Sequence, residues 1–374
     1  MIKLIPICII SILFSIAIEY KSVHKLDKYG EKVYIGKDKA LWILLSIIMI
    51  FFVGLRKNYN DTFVYRGVYE STSTNFRDFF NSNIAIGENP GYTFVRFLCR
   101  SLGVSTTSYL LIYAMITISI YIWFIRKYST KIWLSIYIFI VSGSFIFAMA
   151  GMKQAIAIAF DLLAVDCAIN KKWKSFVVWV IVGMLFHPYS MMFLIVPFLD
   201  FTPGEKKTYI LLGGFAVLGI AMQNILGAIV GATTMLGEEY SIETFTGEGV
   251  NFFRFLVCIV PIILVFATKG VIKNNTDRKW NIIINLSMLN GEIMFMALFG
   301  TANYFGRLAN YFLIFQTVSI PYLFRGFTSR SRTILSLICV VLYAIFFYYQ
   351  NALTTPFDLA YVGISFKEYI LSIL

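Results

Sequence analysis

The sequence predicts an all-α protein, a polytopic transmembrane helical bundle of ten to twelve spans whose outer-face loop carries short amphipathic helices. Three observations lead there. Of 374 residues 59% are hydrophobic and 17% aromatic, only 14% are charged, and mean hydropathy is +0.75, more apolar surface than a soluble domain of this size needs. Stretches of 17–22 residues without an ionised side chain recur along the chain, and about 20 apolar residues suffice to cross a hydrocarbon core of about 30 Å. The short alternating segments of a β-barrel do not appear.

The elements follow in order. Residues 2–18 have a short positive start and no small-residue cleavage site, which reads as a retained first span, 2–19, rather than a signal peptide. Further spans are expected at 40–56, 107–125, 132–149, 154–170, 174–187, 189–200, 208–231, 252–268, 280–299, 304–324 and 333–350. The pair 174–187 and 189–200 is short enough for a re-entrant hairpin. Pro6, Pro197, Pro261 and Pro321 fall inside spans, where neighbouring helices tolerate kinks. Residues 1–374 read as a single integral membrane domain.

Orientation follows from the bias of Lys and Arg toward the cytoplasm. The segment "KSVHKLDKYGEKVYIGKDK" carries six lysines, which places it inside and both termini outside. Alternating from there, the inner segments 20–39, 126–131, 171–174, 201–207, 269–279 and 325–332 hold 21 of the 32 Lys and Arg. The net charge of +12 is therefore mainly a topology signal, and no nucleic-acid partner is expected. The two long outer segments are about 57–106 and 232–251. Within the first, "GENPGYTFVRFLCRSLG" has apolar residues at helical spacing and Arg96 and Arg100 four apart, predicting an amphipathic helix on the outer membrane surface. The second, "MLGEEYSIETFTGEGVN", is acidic and suits a mobile cover.

Polar residues at the outer ends of spans form a short set: Arg56, Asp61, Lys153, Gln154, His187, Ser190, Arg254, Glu292, Asn303, Arg307 and Asn310. Ionisable groups at membrane depth are costly and usually face a water- or ligand-filled cavity, although a single arginine at a span end often snorkels to headgroups. Taken jointly, Arg56, Lys153, Arg254 and Arg307 come from four spans and gather near the leaflet where cations are depleted. Such a set suits a multiply charged anion such as a pyrophosphate. Lys153, Ala157 and Asp161 share one helical face, and Asp161, two turns deeper, suits a structural role. His187, followed by Pro188, serves either as a structural donor or as a catalytic or phosphate-binding group. Tyr65, Tyr69 and Tyr92 suit sugar stacking or an interfacial aromatic belt; Arg66 and Glu70 read as a solvated face. The five cysteines are scattered without a CxxC pair, the two histidines are far apart, and no phosphate-binding P-loop or dinucleotide fingerprint occurs. No metal and no cofactor is expected.

"GLRKNYNDTFVY", "ENPGY", "MKQAIAIAF", "FHPYS" and "GRLANYF" occur in this order, and in it the chain resembles the EpsG-like family of bacterial polysaccharide polymerases, the broader Wzy group, across roughly residues 40–325. The resemblance places the family's Arg, Asp and Tyr on Arg56, Asp61 and Tyr65, its Glu–x–x–Gly–aromatic on Glu88, Gly91 and Tyr92, its histidine turn on His187 and Ser190, and its late Arg–x–x–x–Tyr on Arg307 and Tyr311. Two positions depart from the pattern. Lys153 stands where Arg is usual, which loses bidentate phosphate recognition. Asn60 replaces the glycine often found before the aspartate, and asparagine can still adopt a positive φ.

The resemblance implies a metal-independent, lipid-linked glycosyltransferase in the bacterial cytoplasmic (inner) membrane, with its active site facing outward. It implies transfer of a growing glycan from undecaprenyl pyrophosphate to the terminal sugar of another undecaprenyl-pyrophosphate-linked repeat unit. The partners implied are those lipid-linked oligosaccharide repeat units, the lipid bilayer, a chain-length regulator and a flippase. Arg56, Lys153, Arg254 and Arg307 would stabilise the leaving pyrophosphate; Asp61, Glu88 and His187 are the candidate bases. An O-antigen ligase uses the same donor, and a flippase or exporter also needs a cationic cavity. Motif order favours the polymerase over the first, and the gathering of charge at one face disfavours the second.

Overall fold

The computed structural model describes residues 1–26, 32–36, 38–81, 89–221, 227–228, 230–232, 235, 249–275, 277–300, 302–354 and 356–372. A 3-10 turn leads into α1 (Ile5–Lys21), which has Pro6 in its first turn, where a missing N–H costs nothing. A hairpin of β1 (Val23–Leu26) and β2 (Lys32–Gly36) connects to α2 (Lys39–Gly54), started by Asp38, whose carboxylate accepts from the Leu41 N–H at 2.9 Å. The short β3 (Arg56–Asn58) opens a polar stretch carrying α3 (Thr62–Glu70), α4 (Phe76–Asn81) and α5 (Pro90–Ser101). Then come α6 (Thr106–Tyr128), α7 (Ile132–Val141), α8 (Ser144–Ala150), α9 (Met152–Ile169) and α10 (Trp173–Phe186). After a 3-10 segment (Pro188–Leu199) follow α11 (Lys206–Ile220), α12 (Phe252–Cys258), α13 (Val260–Ala267), α14 (Lys269–Asn275), α15 (Arg278–Met296), α16 (Ala302–Leu313), α17 (Gln316–Leu323) and α18 (Ser329–Tyr348). The tail holds α19 (Phe357–Ala360), β4 (Val362–Gly363) and α20 (Phe366–Leu371).

The fold is thus all-α and polytopic as expected, with a helix or helix pair at nearly every predicted span. Among the described residues three helices are long and apolar enough to cross a membrane alone: Ile2–Lys21, Thr106–Tyr128 and Ser329–Thr354. Several predicted spans are not single helices. Span 132–149 is α7 and α8, bent by 42° where Gly143 takes φ +96°, a left-handed conformation that glycine adopts without strain. Span 252–268 is α12 and α13, broken just before Pro261, which has no N–H to continue the ladder. Span 304–324 is α16 and α17, and between them Phe315 and Thr317 bond three residues back rather than four. The segment expected as span 189–200 is a 3-10 helix, which rises about 2 Å per residue and so reaches further than an α-helix of equal length.

The chain divides into two compact units: Met1–Ala164, Lys174–Met191 and Phe347–Leu374 form the first, Val165–Trp173 and Met192–Phe346 the second. In the first, α2 packs along α6, and α1 packs on both α2 and α7. At one end of α1, Glu19 accepts from the Trp133 N–H at 3.2 Å. At the other end the terminal amine forms an ion pair with Asp358, which also accepts from the Ile2 and Lys3 N–H groups at 2.6 and 2.9 Å. There β4 pairs antiparallel with β3, matching Gly363 to Arg56 and Val362 to Asn58, and Ile364 N–H donates to Leu55 O at 2.9 Å. The two ends of the chain and the 56–58 segment therefore share one side of this unit.

In the second unit α15 is the central helix, buried on all sides from Ile282 to Met294 and packed by α11, α12, α13, α16 and α17. Where lipid tails are as apolar as side chains, interhelical hydrogen bonds help hold a bundle. The Asn285 amide donates to Leu199 O and Phe201 O at 2.8 Å each, and Asn290 donates to Ala309 O at 2.7 Å. The Gln316 amide donates to Asn290 Oδ1 at 2.9 Å and Cys258 O at 3.1 Å, and its carbonyl accepts from the Tyr343 hydroxyl at 3.1 Å.

Candidate functional site

The site in the first unit starts where α2 stops. Arg56, only 1% exposed, turns its guanidinium back against the helix end. Nη1 donates to Val53 O at 2.7 Å, Nε to Thr62 Oγ1 at 3.0 Å, and Nη2 reaches Met152 Sδ at 3.5 Å. The Thr62 hydroxyl in turn donates to Tyr59 O at 2.6 Å. All of these acceptors are neutral, and among the described residues no carboxylate is paired with Arg56. A guanidinium stays cationic at neutral pH even when enclosed. The tail closes over it: Phe357 packs on Tyr59 at 4.8 Å, and the Tyr361 hydroxyl donates to Phe52 O at 3.0 Å. Burial pushes both phenols, Tyr59 and Tyr361, up to about 12, which keeps them neutral hydrogen-bond donors.

Met152 carries the cluster to the start of α9, where the next residue is Lys153. Half-buried, Lys153 places Nζ 5.4 Å from the centre of the Tyr92 ring, and Arg96 lies 5.7 Å from the same ring. Tyr65, whose hydroxyl lies at the Met152 backbone, meets Tyr92 edge to face at 6.3 Å. Burial raises the Tyr65 and Tyr92 phenols above their usual range. Asn89 (φ +62°) turns the chain into α5, and Gly91 lets α5 approach α10, since a Cβ there would come within 2.9 Å of Leu185 Cβ. Leu185 stands two residues before His187.

The turn that carries His187 is held from α9. Ser190 Oγ donates to the buried Asp161 at 2.8 Å, Ser190 N–H bonds His187 O at 3.2 Å, and His187 N–H bonds Gly183 O at 3.0 Å. A Cβ on Gly183 would stand 2.7 Å from Ser190 Oγ and 2.9 Å from Asp161 Oδ1, so only glycine admits this contact. The His187 ring lies 5.2 Å from that of Tyr189. Asp161 thus has the structural role its depth suggests.

The second unit holds Arg254 and Arg307. Arg254 Nη2 donates to Asn310 Oδ1 at 3.2 Å, and its guanidinium lies over Gly306. Arg307 is exposed on α16, while Tyr311, on the next turn, is enclosed with its ring 6.2 Å from that of Phe193. Glu292 is buried on α15, and neither carboxylate oxygen has a hydrogen-bond partner among the described residues.

Residues 39–369 match the model of a family described as the EpsG family. The chain belongs to the EpsG family. Membership carries a polysaccharide polymerase-like, glycosyltransferase-like role in a membrane-embedded protein. No curated protein matches the chain, and no solved structure does.

Of the positions that resemble the EpsG pattern, the fold gathers Arg56, Tyr65, Tyr92 and Lys153 into one cluster, with the His187 turn tied in through Gly91 and Leu185. Asp61 starts α3 but is exposed and makes no capping bond. Asn60 does take a positive φ, +47°. Glu88 and the expected cover over residues 236–248 lie outside the described residues. Two readings change. Tyr69 is no sugar platform: it is fully buried, stacked on Tyr109 at 4.2 Å, and donates to Val104 O at 2.6 Å. The Tyr92 ring has Lys153 and Arg96 beside it, at 5.4 and 5.7 Å from its centre, so its face is not open for stacking. Arg96 was legible only as one charge of an amphipathic helix, because nothing in the spacing reveals which ring it covers.

Proposed function

We propose that this EpsG-family chain is a Wzy-type polysaccharide polymerase. It transfers a growing glycan from undecaprenyl pyrophosphate to the terminal sugar of an undecaprenyl-pyrophosphate-linked repeat unit, on the outer face of the cytoplasmic membrane. A flippase would supply those units and a chain-length regulator would set product size. The observation that carries this reading is the Arg56 charge, buried, oriented among the described residues by neutral acceptors only, and one residue behind Lys153. A buried cation with no counter-ion among the described residues favours an anion arriving beside it.

The acceptor hydroxyl oxygen attacks the anomeric carbon of the donor, the bond from that carbon to the phosphate oxygen breaks, and the lipid pyrophosphate leaves with the electron pair. Positive charge near the departing oxygen is the stabilisation such a step needs. Lys153 is the contact, in the first turn of α9, where the helix dipole adds to its charge. Arg56 is too enclosed to touch the ligand and supplies field from behind Met152. Asp61 and His187 are the candidate bases for the hydroxyl proton among the described residues. Arg254 and exposed Arg307 are a separate cationic pair within the second unit, and a reaction with two lipid-pyrophosphate substrates has use for both.

The test is incubation of purified protein in vesicles with a lipid-linked repeat unit, without metal or nucleotide. A ladder of longer lipid-linked glycans is expected, reduced about 100-fold or more in Lys153→Ala and Arg307→Ala at unchanged protein level. Near-normal ladders in both variants refute the pyrophosphate assignment. Substrate that moves between leaflets without lengthening identifies a transporter instead.

A further inference from the structure

A helix on the surface of a soluble protein turns its apolar side to the core and its charges to water. In the first unit α5 is built the other way round. Its arginines turn toward the protein: Arg96 lies 5.7 Å from the centre of the buried Tyr92 ring, and Arg100 lies 5.9 Å from that of the buried Tyr69 and donates to Glu70 O at 3.3 Å. The exposed positions of α5 are Pro90, Phe94, Leu98 and Ser101, none of them charged. Phe94, Leu98 and, at the C-terminal cap, Leu102 stand four residues apart and so share a face. They are 53%, 44% and 71% exposed.

This stripe continues the bare side of a span. On α10, one of the shorter apolar helices at a predicted span, Val178, Ile181 and Leu185 recur at helical spacing and are exposed. The two helices meet where the stripes join, since a Cβ on Gly91 would stand 2.9 Å from Leu185 Cβ and 3.0 Å from Leu185 O. On the other side of α5, Tyr92 meets Tyr65 and Tyr113 at 6.3 and 5.8 Å and has Lys153 Nζ at 5.4 Å.

We infer that α5 is immersed in the outer leaflet as the wall between lipid and the Lys153 cluster, with Phe94, Leu98 and Leu102 against hydrocarbon chains. Two observations name lipid as the occupant. The stripe extends the apolar side of α10, and no charge interrupts it. A protein partner or a second copy makes an interface with a polar rim, and the exposed positions of α5 offer no charge for one. An α-helix with its side chains is about 10–12 Å thick, so lipid on one side of α5 lies about one helix width from the cations on the other. A lipid-linked pyrophosphate, whose chain stays in the leaflet, crosses only that width to reach Lys153. This route of entry rests on the proposed donor; the immersion of α5 does not.

Immersion is tested with Phe94→Trp and Leu98→Trp in vesicles, each read as the emission added over that of the unsubstituted protein. Brominated phospholipid is expected to quench most of the added emission and aqueous iodide little of it. Iodide quenching as strong as that by brominated lipid puts the stripe in water. Added emission that neither quencher reaches puts it under a second copy or another protein, and either result overturns the inference. The route of entry is tested with Leu98→Glu in the polymer assay, run against the mole fraction of lipid-linked repeat unit in the vesicles. A carboxylate on the stripe is disfavoured in hydrocarbon, so the mole fraction at half-maximal rate rises about tenfold while the maximal rate holds. Leu98→Ile keeps both. An unchanged half-maximal mole fraction, or a maximal rate that falls by itself, overturns the route across α5. Wild-type protein that makes no ladder refutes the polymerase reading, and the quenching still decides the immersion.

Discussion

Gly183→Ala puts one methyl group into the contact that holds the His187 turn. The new Cβ would lie 2.7 Å from Ser190 Oγ, 2.9 Å from Asp161 Oδ1 and 3.1 Å from Ser190 Cβ. Side-chain carbons do not approach oxygen that closely, so Ser190 must withdraw and its 2.8 Å bond to Asp161 lengthens or breaks. Leaving that buried acceptor unpaired costs about 1–3 kcal/mol, and forcing an extra methyl into a packed contact about 1–3 kcal/mol more. Alanine returns at most about 1 kcal/mol through helix propensity in the last turn of α10. The net loss is about 1–5 kcal/mol, so packing outweighs propensity. The His187 carbonyl is bonded to Ser190 N–H, so the turn moves with Ser190, and a displacement of about 1 Å near a reacting group costs on the order of 100-fold in rate. The assay pairs thermal unfolding in detergent with the polymer ladder. Ser190→Ala, which removes the oxygen at 2.7 Å, relieves part of the clash, so the double variant is less destabilised than the sum of the single ones by about 1 kcal/mol. An alanine variant that unfolds at or above the wild-type temperature, or strictly additive effects, would refute the packing argument.

Two further outcomes follow from the same geometry. Asp358 is held down to about 2 by the terminal amine and the Ile2 and Lys3 N–H groups, so its contribution is present above the ordinary carboxylate range and is lost as pH falls through about 2. Asp358→Asn removes that acid-side dependence, and acid titration of unfolding that is identical in the two proteins contradicts it. In the second unit, Gln316→Leu removes the three bonds to Asn290 Oδ1, Cys258 O and the Tyr343 hydroxyl; at about 0.6 kcal/mol per interhelical bond in a membrane protein it destabilises by about 2 kcal/mol, and an unchanged unfolding temperature contradicts that.

Span positions were legible because they depend on hydrophobic length, which composition records directly. The breaks were partly legible: Pro261 sits beside one, whereas the one near Leu313 has no proline or glycine to mark it. Gly143 shows why a span of adequate length still bends, since its positive φ is a matter of local packing and not of hydropathy. At the site, the chain revealed which residue types cluster at one end but not what each one touches. Tyr69 and Tyr92 read alike as aromatics near a membrane surface, yet Tyr69 ends its hydroxyl on Val104 O in the packed interior while the Tyr92 ring lies beside Lys153 and Arg96. Lys153 and Arg56 read as equivalent cations and prove to differ in access.

That difference bears on chemistry. A guanidinium paired with a carboxylate presents a nearly neutral group to an incoming phosphate, and its charge is spent within the protein. Arg56 is oriented instead by a backbone carbonyl, a hydroxyl and a thioether, so its direction is fixed while its charge is not cancelled. Such burial has a desolvation cost of several kcal/mol, and the surrounding structure offsets it through the helix end at Val53, the Thr62–Tyr59 bond, the β3–β4 pairing and the aromatic cover of Phe357 and Tyr361. A site meant only to fasten the tail to α2 would not need a cation there, because β3–β4 and the Tyr361–Phe52 bond already do so. Replacing Arg56 by Met, which keeps volume and removes the charge, separates the two uses. The tail then stays docked, as resistance to proteolysis after Thr354 reports, while polymer formation falls about 100-fold. Loss of the tail together with activity would make Arg56 a structural residue and leave Lys153 as the cation that acts.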